Sequence, residues 1–454
     1  MKIVIVGAGE VGFHIARQLS LEEKDVVLID ESPEAIRRVE DQLDVQTILG
    51  SGSNPEVLRG AGIRGAEILL AVTDRDETNL VACLTADLLA PHTTKIARIR
   101  DESFDQFAAN LRERPPHIQT IINPETEVVQ TILQLMSVPG AVDVGSFAGG
   151  RIQLVGIAID AKSPLAGKAL SELPALPGPV RPLIAALVRE SRLIVPRGKD
   201  RLRPGDLAYF ISEQERLFDN LAAFGKRESP VRRVLIVGGG RIGLRLAARL
   251  EEKGIAAKVI EKSADRCSLL AEKLGHTVVL CGDGSDQDLL QEENVRDMDV
   301  VVTVTQDEET NILTALLATR LGARKAICKI DRFGYFPLMK AIGIEQVVSP
   351  RLSAINSILQ HIRKGKVLSA MAIQGEQAEV LEAVALETSD IVGRPLREID
   401  FPKGAMVAAV IREGRIILPT GESVVEPGDR VILFALREAV PRIERLLAVK
   451  LEYF

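Results

Sequence analysis

Apolar and polar positions at the start of the chain follow a pattern that predicts a strand, a tight turn and a helix. Residues 2–6 form a short apolar run rich in β-branched side chains, as expected of a strand buried on both faces. The motif GxGxxG follows directly at residues 7–12, and apolar residues then recur at helical spacing up to Leu19. A second apolar run, VVLID, ends at Asp30. This order of elements is the setting that a dinucleotide-binding fingerprint requires.

Each residue type in this fingerprint suits one part of a bound nucleotide. Gly7 permits the tight turn, Gly9 lets the backbone approach a pyrophosphate, and Gly12 lets helix and strand pack closely. The phosphates would lie at the positive end of the helix. The carboxylate of Asp30 would accept hydrogen bonds from ribose hydroxyls and repel a 2′-phosphate. The alternative is a nucleotide-free domain that keeps its glycines for packing alone.

The whole pattern occurs twice. A second apolar strand at residues 233–237 leads into GxGxxG at residues 238–243 and then to Glu261. Gly238 lies 231 residues after Gly7, and Glu261 lies 231 residues after Asp30. Because five landmarks recur in the same order, we interpret the chain as a tandem duplication of domains. The other three are GSGS at 50–53 with GDGS at 282–285, AVTDRDETN at 71–79 with TVTQDEETN at 303–311, and ARIRD at 97–101 with CKIDR at 328–332.

The periodicity predicts an α/β fold with two Rossmann-like doubly wound parallel sheets in tandem, each followed by a small α+β domain. In the first half, strands are predicted near 2–6, 26–29, 45–48, 68–72, 95–99 and 118–122. The small modules match each other too, and each contains a PGD triplet, at 204–206 and 427–429, which reads as a turn into its last strand. The predicted domains are 1–140, 141–226, 231–365 and 366–454; the first and third are Rossmann domains, each ending in a connecting helix.

The connecting helices are predicted from Asn123-Pro124 to about Met136 and from Pro350 to Ile362. Their apolar faces need a partner surface. That partner is either the parent domain or a neighbouring subunit, which the helix would reach as a crossover.

Composition limits the classes of partner and site. The chain has 454 residues, 46% of them hydrophobic, and a net charge of −6, so nothing favours nucleic acid. Its four cysteines show no metal-ligand spacing, which indicates reduced thiols in a cytosolic protein and no metal site. No apolar run is long enough for a transmembrane helix, and the first residues enter a strand rather than a secretion signal.

Two acids follow the fourth predicted strand. Asp74 and Asp76 precede an apolar helical run from Leu80 to Leu89. They could line the ligand crevice at the carboxyl ends of the strands, or they could cap the helix. Capping is the simpler interpretation.

These repeated motifs together resemble the TrkA family, peripheral cytosolic subunits of bacterial Trk potassium uptake systems. Their domains regulate potassium conductance and are known as RCK domains. The resemblance covers nearly the whole chain and is carried by GAGEVG, GSGS, AVTDRDETN and IARIRD in the first half, with their counterparts in the second. It implies a non-enzymatic regulator that binds NAD(H), with ATP or ADP as competing nucleotides. It also implies a homotetrameric ring at the inner face of the membrane, which gates a separate integral-membrane potassium-translocating subunit resembling TrkH.

The resemblance also implies two sets of nucleotide-binding residues, and Arg98 and Lys329 correspond to each other between them. A cation at that position could meet a phosphate. The first site would comprise Gly7, Ala8, Gly9, Glu10, Val11, Gly12, Asp30, Gly50, Ser51, Thr73, Asp74 and Arg98. The second would comprise Gly238, Gly239, Gly240, Arg241, Ile242, Gly243, Glu261, Asp283, Thr305 and Lys329.

The two glycine loops differ in one charged residue. Glu10 in the first loop is replaced by Arg241 in the second. Glu10 would repel a terminal phosphate near the helix start, whereas Arg241 could pair with one, so the sites are expected to differ in nucleotide preference. The alternative is that both side chains point into solvent.

Two other classes of function compete with regulation. An NAD-dependent oxidoreductase needs a proton donor or acceptor beside the nicotinamide. None of the five histidines occurs at equivalent positions in both halves, which argues against catalysis. A scaffold that has lost its ligands would not need intact glycines and ribose acids in both halves.

Overall fold

The computed structural model describes residues 1–175, 182–190, 192–226, 231–362, 367–373 and 377–447. The chain forms two compact units. Unit 1 comprises residues 1–127 and 350–363, and unit 2 comprises residues 128–349 and 364–454. The stretch 227–230 between the second and third predicted domains and the predicted boundary between 365 and 366 lie outside the described residues.

Unit 1 is built on a six-stranded parallel sheet in the order β3-β2-β1-β4-β5-β6. This is the doubly wound order in which a crevice opens at the carboxyl ends of β1 and β4. All six strands predicted from the periodicity are present. They are β1 Lys2–Val6, β2 Asp25–Asp30, β3 Gln46–Leu49, β4 Ile68–Ala71, β5 Thr94–Arg98 and β6 Ile118–Ile122.

Helices connect these strands, and polar caps begin two of them. The Ser32 hydroxyl accepts a hydrogen bond from the Ala35 amide (3.3 Å), and Asn54 caps the third helix in the same way. The helices are α1 Glu10–Leu21, α2 Pro33–Gln42, α3 Pro55–Gly60, α4 Asp76–Leu89 and α5 Ala108–Glu113.

The first connecting helix, α6 (Pro124–Ser137), packs in unit 2 from Val128 onward. Its buried Val128 and Ile132 join the core that contains Ile242 and Leu246 of the second glycine-loop helix. Near its end, the Leu135 carbonyl accepts a hydrogen bond of 2.6 Å from Lys325 Nζ. The helix is therefore fastened to the second Rossmann sheet.

The first small module follows as a five-stranded sheet in the order β10-β9-β11-β8-β7. The alternating apolar pattern predicts strands at 153–159, 183–189, 193–195 and 207–211. All four are present, and a fifth strand, β7, adds to one edge. The elements are β7 Ala141–Phe147, β8 Ile152–Ala158, β9 Leu183–Arg189, β10 Arg192–Ile194, β11 Leu207–Glu213 and α7 Leu217–Ala223.

The second Rossmann sheet repeats the first, in the order β14-β13-β12-β15-β16-β17. Its strands are β12 Arg233–Val237, β13 Ala256–Glu261, β14 Val278–Cys281, β15 Val300–Thr303, β16 Ala326–Lys329 and β17 Gln346–Val348. Its helices are α8 Arg241–Glu252, α9 Ala264–Lys273, α10 Gln287–Glu292, α11 Glu308–Arg320 and α12 Phe336–Ala341.

The second connecting helix, α13 (Pro350–Ile362), belongs to unit 1 and packs against α1. Each half of the chain thus supplies its connecting helix to the Rossmann domain of the other half. The surface that covers each helix is thus the Rossmann domain of the other half of the chain, which corrects the expectation that it could be the parent domain.

The last module has the same sheet as the first, in the order β18-β19-β22-β20-β21. Both PGD triplets form turns: Asp206 accepts two hydrogen bonds from the Arg189 guanidinium, and Asp429 pairs with Arg412 in the same way. The elements are β18 Val367–Ile373, β19 Ala378–Val384, β20 Ala405–Arg412, β21 Arg415–Ile417, β22 Arg430–Leu436 and α14 Val440–Leu447.

Candidate functional site

The first glycine loop has two glycines that packing requires and one that it does not. Gly7 has a φ of +110°, and a Cβ built on it would lie 2.9 Å from the Thr73 amide nitrogen. A Cβ on Gly12 would lie 1.8 Å from the Gly7 carbonyl oxygen. A Cβ on Gly9, by contrast, would meet no atom of the described residues within 4 Å. The protein alone does not demand a glycine at position 9, whereas a phosphate approaching the backbone would.

The second glycine loop repeats this geometry. Gly238 has a φ of +108°, and a Cβ on Gly243 would lie 2.0 Å from the Gly238 carbonyl oxygen. Gly240 again faces open space. One difference is Gly239, where a Cβ would meet Leu270 Cδ1 at 2.4 Å, while the first loop accommodates an alanine at the equivalent position.

The two predicted ribose acids hold the glycine loops. Asp30 accepts hydrogen bonds from the amides of Ala8 (2.6 Å) and Ser32 (2.7 Å). In the second half, Glu261 accepts hydrogen bonds from the amides of Gly239 (2.8 Å) and Ser263 (2.9 Å). Because a carboxylate has about four acceptor sites, each acid can still accept hydrogen bonds from ribose hydroxyls.

A fully buried asparagine joins two loops at the edge of the first site. Asn79 Oδ1 accepts from the amide (2.9 Å) and the hydroxyl (2.7 Å) of Thr73. Its Nδ2 donates to the carbonyls of Thr73 (3.1 Å) and Arg98 (2.8 Å). Thr73 and Arg98, both predicted site residues, are brought together by a side chain that was not predicted.

Asn311 makes the same four contacts in the second half. It accepts from the amide and hydroxyl of Thr305, each at 2.8 Å, and donates to the carbonyls of Thr305 (3.2 Å) and Lys329 (3.1 Å). The repeated segments DETN and EETN carried the signal for both asparagines. A buried polar residue repeated in register with the site loops is a candidate for holding them.

The helix-capping prediction for Asp74 and Asp76 is wrong. The residue at the N-cap of α4 is Arg75, which makes no side-chain capping bond. Asp76 Oδ2 instead accepts from the amides of Arg100 and Asp101, each at 3.0 Å, and so ties the loop after β5 to α4. The backbone carbonyl of Asp74 accepts a hydrogen bond from the Arg100 guanidinium. In the second half, Asp307 does cap α11, at 2.7 Å from the Thr310 amide.

At the first site, the guanidinium group of Arg98 has a hydrogen-bond donor without an acceptor among the described residues. Its Nε is buried and has no hydrogen-bond partner among the residues that the structure describes. Burial lowers the pKa of Arg98, and the charges of Arg100 and Arg351 lower it further, while Asp76 and Asp74 oppose them. Arg351 lies on α13, so the second half of the chain supplies charge to the first site.

The equivalent cation at the second site has partners within the protein. Lys329 Nζ lies 3.0 Å from Asp331 Oδ2 and donates to the Thr305 carbonyl at 3.3 Å. The two sites therefore differ in the charge available to a phosphate after their fifth strand.

Glu10 does not point freely into solvent. Its carboxylate pairs with Arg38 at 2.6 Å and with Arg351 at 3.9 Å, and it lies 3.7 Å from His14 Nε2. Although burial opposes it, the hydrogen bond from Arg38 lowers the pKa of Glu10. These pairings contradict the solvent-pointing alternative for Glu10, and they reduce the repulsion that we expected it to exert on a phosphate. Arg241 in the second loop is exposed.

The remaining predicted residues fall into two groups. Val11 and Ile242 are buried, so they offer a ligand only their backbone. The others, Gly50, Ser51 and Asp283, follow the third strand of their sheet. The Gly50 amide donates to the Asp30 carbonyl (2.8 Å), Ser51 Oγ lies 2.9 Å from Ser53 Oγ, and Asp283 accepts from Ser285 (2.7 Å) and Lys262 (2.9 Å).

Comparison with known proteins identifies the family. The TrkA-N domain matches residues 3–124 and 234–350, and the TrkA-C domain matches residues 154–222 and 380–448. The chain belongs to the TrkA family. It is 40% identical over 458 residues to the Trk system potassium uptake protein TrkA of Azorhizobium caulinodans, covering 100% of both chains. It is 38% identical to TrkA homolog 1 of Methanosarcina mazei, covering 98% of this chain and 99% of that one.

Among solved structures, the chain is similar to the GsuK channel bound to NAD. The TM-score is 0.60 at 19% identity, over 98% of this chain and 78% of that chain. At this identity the likeness shows the fold alone. None of the helices within the described residues is long and apolar enough to span a membrane.

Proposed function

We propose that this chain is a nucleotide-sensing regulatory subunit of a potassium uptake system. It binds NAD(H) and adenine nucleotides competitively at its two glycine loops. The observation that carries the proposal is the open space at Gly9 and Gly240, in loops whose other fingerprint glycines are required by packing. Family membership supplies the potassium system, since the TrkA relatives are named as potassium uptake proteins.

The residues present at the first site fit a dinucleotide. The backbone at Gly9 and the start of α1 suit a pyrophosphate, and Asp30 suits the adenosine ribose. The buried Nε of Arg98 lacks an acceptor that a phosphate oxygen would supply. As a regulatory ligand the nucleotide would supply binding energy alone, through contacts with the loops after the first, second, fourth and fifth strands.

The two sites differ in nucleotide preference because of the cations after their fifth strands. Arg98 keeps an unused donor, while Lys329 is neutralised by Asp331. The first site should therefore favour ligands with more phosphate charge, such as ATP, relative to NADH. This replaces the difference between Glu10 and Arg241 as the main source of asymmetry, because Glu10 is already paired.

To regulate potassium uptake, this chain would have to assemble with copies of itself and contact a membrane subunit. α4 exposes an apolar stripe whose members lie on one face of the helix: Val81 is 45% exposed, Leu84 40% and Leu88 76%. An exposed apolar stripe of this kind is typical of a protein interface. It supports assembly of copies of this chain into a ring, beneath a membrane subunit that conducts potassium. A nucleotide controls such a ring only if its affinity differs between the ring's two states.

Calorimetric titration tests the binding part of this proposal. Wild-type protein is titrated with NADH, NAD, ATP, ADP and NADPH, beside Gly9→Ala, Gly240→Ala, Asp30→Ala and Glu261→Ala. We expect two saturable sites per chain, with NADPH excluded. Each glycine variant should weaken its own site by about tenfold or more, equivalent to about 1.4 kcal/mol, without loss of thermal stability. Gly12→Ala is the matched control, because its Cβ would clash and should destabilise the fold instead.

Three results would contradict the proposal in different ways. Unchanged binding in Gly9→Ala and Gly240→Ala would show that phosphates do not approach those loops. Turnover of NADH with an added metabolite would favour the oxidoreductase. No binding of any nucleotide to the wild-type chain would leave a scaffold.

A second pair of variants tests the difference between the cations at the two sites. Arg98→Gln should lower the ATP affinity of the first site more than its NADH affinity, by about fivefold or more in the ratio. Lys329→Gln should change the same ratio at the second site much less. Equal effects of the two substitutions would contradict the assignment.

A further inference from the structure

Two cysteines meet beside the ribose acid of the second half. Cys281 is the last residue of β14 and pairs in register with Glu261 on β13. Cys267 lies on α9, and its thiol donates to the Glu261 carbonyl oxygen at 3.3 Å. The backbone of Glu261 thus lies next to both sulfur-bearing residues.

The two side chains differ in exposure from the other cysteines. Burial raises the pKa of Cys267 to about 11, and a hydrogen bond with the Cys281 thiol raises it as well. Cys281 is exposed and Cys267 is partly buried, so a small reagent reaches Cys281 first. The other two cysteines, Cys83 and Cys328, are buried, and burial raises their pKa values to about 12 and about 11. Their thiols are unreactive by comparison.

We propose that Cys267 and Cys281 form a reversible disulfide that regulates the second nucleotide site. The oxidant is a low-molecular-weight disulfide of the glutathione class. The disulfide would regulate the second of the nucleotide sites proposed above, so this regulatory role rests on the existence of that site.

The exchange proceeds in two balanced steps. The Cys281 thiolate attacks one sulfur of the small disulfide, whose S–S bond breaks, and one small thiolate leaves and takes up the proton that Cys281 lost. Cys267, after losing its proton, attacks the Cys281 sulfur of the mixed disulfide, and the second small thiol leaves with that proton. One small disulfide becomes two small thiols, and the protein gains one disulfide.

The disulfide would affect the second nucleotide site because two side chains of α9 contact its glycine loop. Arg266 donates to the Gly239 carbonyl oxygen at 2.8 Å, and Leu270 fills the space where a Cβ of Gly239 would lie. A disulfide between α9 and β14 would hold these side chains against the glycine loop in its present arrangement. It would also remove the thiol donor to the Glu261 carbonyl. If the glycine loop or its ribose acid has to shift when a nucleotide binds, the disulfide would oppose that shift, so we expect oxidation to lower nucleotide affinity at the second site.

The first half provides an internal comparison. The positions equivalent to Cys267 and Cys281 are occupied by Ile36 and Leu49, which have no thiol chemistry. The first site should be insensitive to oxidation. The difference between the sites then reports the disulfide itself rather than general damage to the protein.

The experiment exposes the full chain to oxidised glutathione and maps its thiols by alkylation and peptide mass spectrometry. The expected product is an intramolecular link between the peptides of Cys267 and Cys281, reversed by dithiothreitol. Cys267→Ser should stop at the glutathione adduct on Cys281, and Cys281→Ser should not react at this pair. Cys83→Ser and Cys328→Ser are matched controls that should behave as wild type.

Calorimetry on the oxidised chain then tests regulation. We expect the second-site affinity for NADH to fall by about fivefold, with the first site unchanged and with recovery on reduction. A wild-type adduct that never resolves, or only intermolecular links, would overturn the disulfide. A disulfide with unchanged second-site affinity would overturn its regulatory role. Absence of second-site binding in the reduced chain would instead overturn the proposed nucleotide site.

Discussion

At the scale of single residues, the two buried asparagines do most to shape the candidate sites. Asn79 and Asn311 each use both ends of the amide, accepting two hydrogen bonds and donating two. Only an amide satisfies all four partners, because a carboxylate lacks donors and a hydroxyl has one. In each half this side chain joins the loops after the fourth and fifth strands.

Replacing the amide by a carboxylate tests this dependence. In Asn79→Asp, the carbonyls of Thr73 and Arg98 lose their donors while the volume of the side chain is kept. We expect the free energy of unfolding to fall by about 2–4 kcal/mol, and first-site nucleotide affinity to fall with it. Denaturant unfolding and calorimetry measure the two effects.

The exposed Asn110→Asp is the control for the change of charge, and Asn311→Asp should move the effect to the second site. An Asn79→Asp variant as stable as Asn110→Asp would show that the network contributes little.

At the scale of elements, the two Rossmann domains differ in how the first helix is tied to the third strand. In the second domain, Glu251 of α8 accepts from the amides of His276 (2.7 Å) and Thr277 (2.6 Å), and from the Thr277 hydroxyl (2.8 Å). At the equivalent position in the first domain, Ser20 donates a single hydrogen bond of 3.1 Å to the Asp44 carbonyl. The second domain therefore has a connection that depends on charge.

This connection should give the second domain a pH-dependent contribution to stability that Ser20 does not provide in the first. Although burial opposes it, the amides of the 275–277 loop and the Thr277 hydroxyl lower the pKa of Glu251 to about 2. A carboxyl with a lowered folded-state pKa stabilises above its unfolded value, 4.5, and loses that contribution as the pH falls towards about 2. We expect Glu251→Gln to cost about 1–2 kcal/mol above pH 5, allowing for solvent screening.

Denaturant unfolding of wild type and Glu251→Gln between pH 7 and pH 2.5 checks this expectation. The difference in unfolding free energy should shrink steadily below about pH 4.5. A difference that is independent of pH would mean that Glu251 acts through packing alone.

At the scale of the whole molecule, the two halves share the same fold, but they differ in the apolar side chains on the surface of equivalent helices. The stripe of Val81, Leu84 and Leu88 on α4 has equivalents on α11 in Leu313, Leu316 and Arg320. The charge at the last position shortens the apolar face of the second copy. Assembly through helices of this kind should therefore depend more on α4 than on α11.

Charged substitutions on α4 test the assembly. Leu84→Asp with Leu88→Asp should convert the oligomer into smaller species in light-scattering chromatography, with unchanged helical content and thermal stability. Leu21→Asp, on a residue 60% exposed at the end of α1, is the matched control and should leave the oligomer intact. An oligomer unaffected by the double substitution would place the interface elsewhere.

Much of this protein could be read from its sequence because the signals are local or periodic. The buried parallel strands, the glycine loops with their ribose acids, and the duplication all follow from residue type and spacing. Gly7 and Gly12 can be assigned to packing in advance because turn geometry and helix–strand contact make fixed demands on those positions. All six strands of the first sheet lie where the periodicity placed them.

Other features depended on contacts between distant segments. The sequence shows that α6 and α13 each have an apolar face, but apolar burial is non-directional and does not name the surface that covers it. The tertiary structure decides that each helix packs on the Rossmann domain of the other half. The same placement brings Arg351 to Glu10. Contacts within the first domain, between α4 and the loop after β5, make Asp76 a loop tether rather than the expected cap. Charges and hydrogen bonds act over a few ångströms, so their partners are set only when the chain has folded.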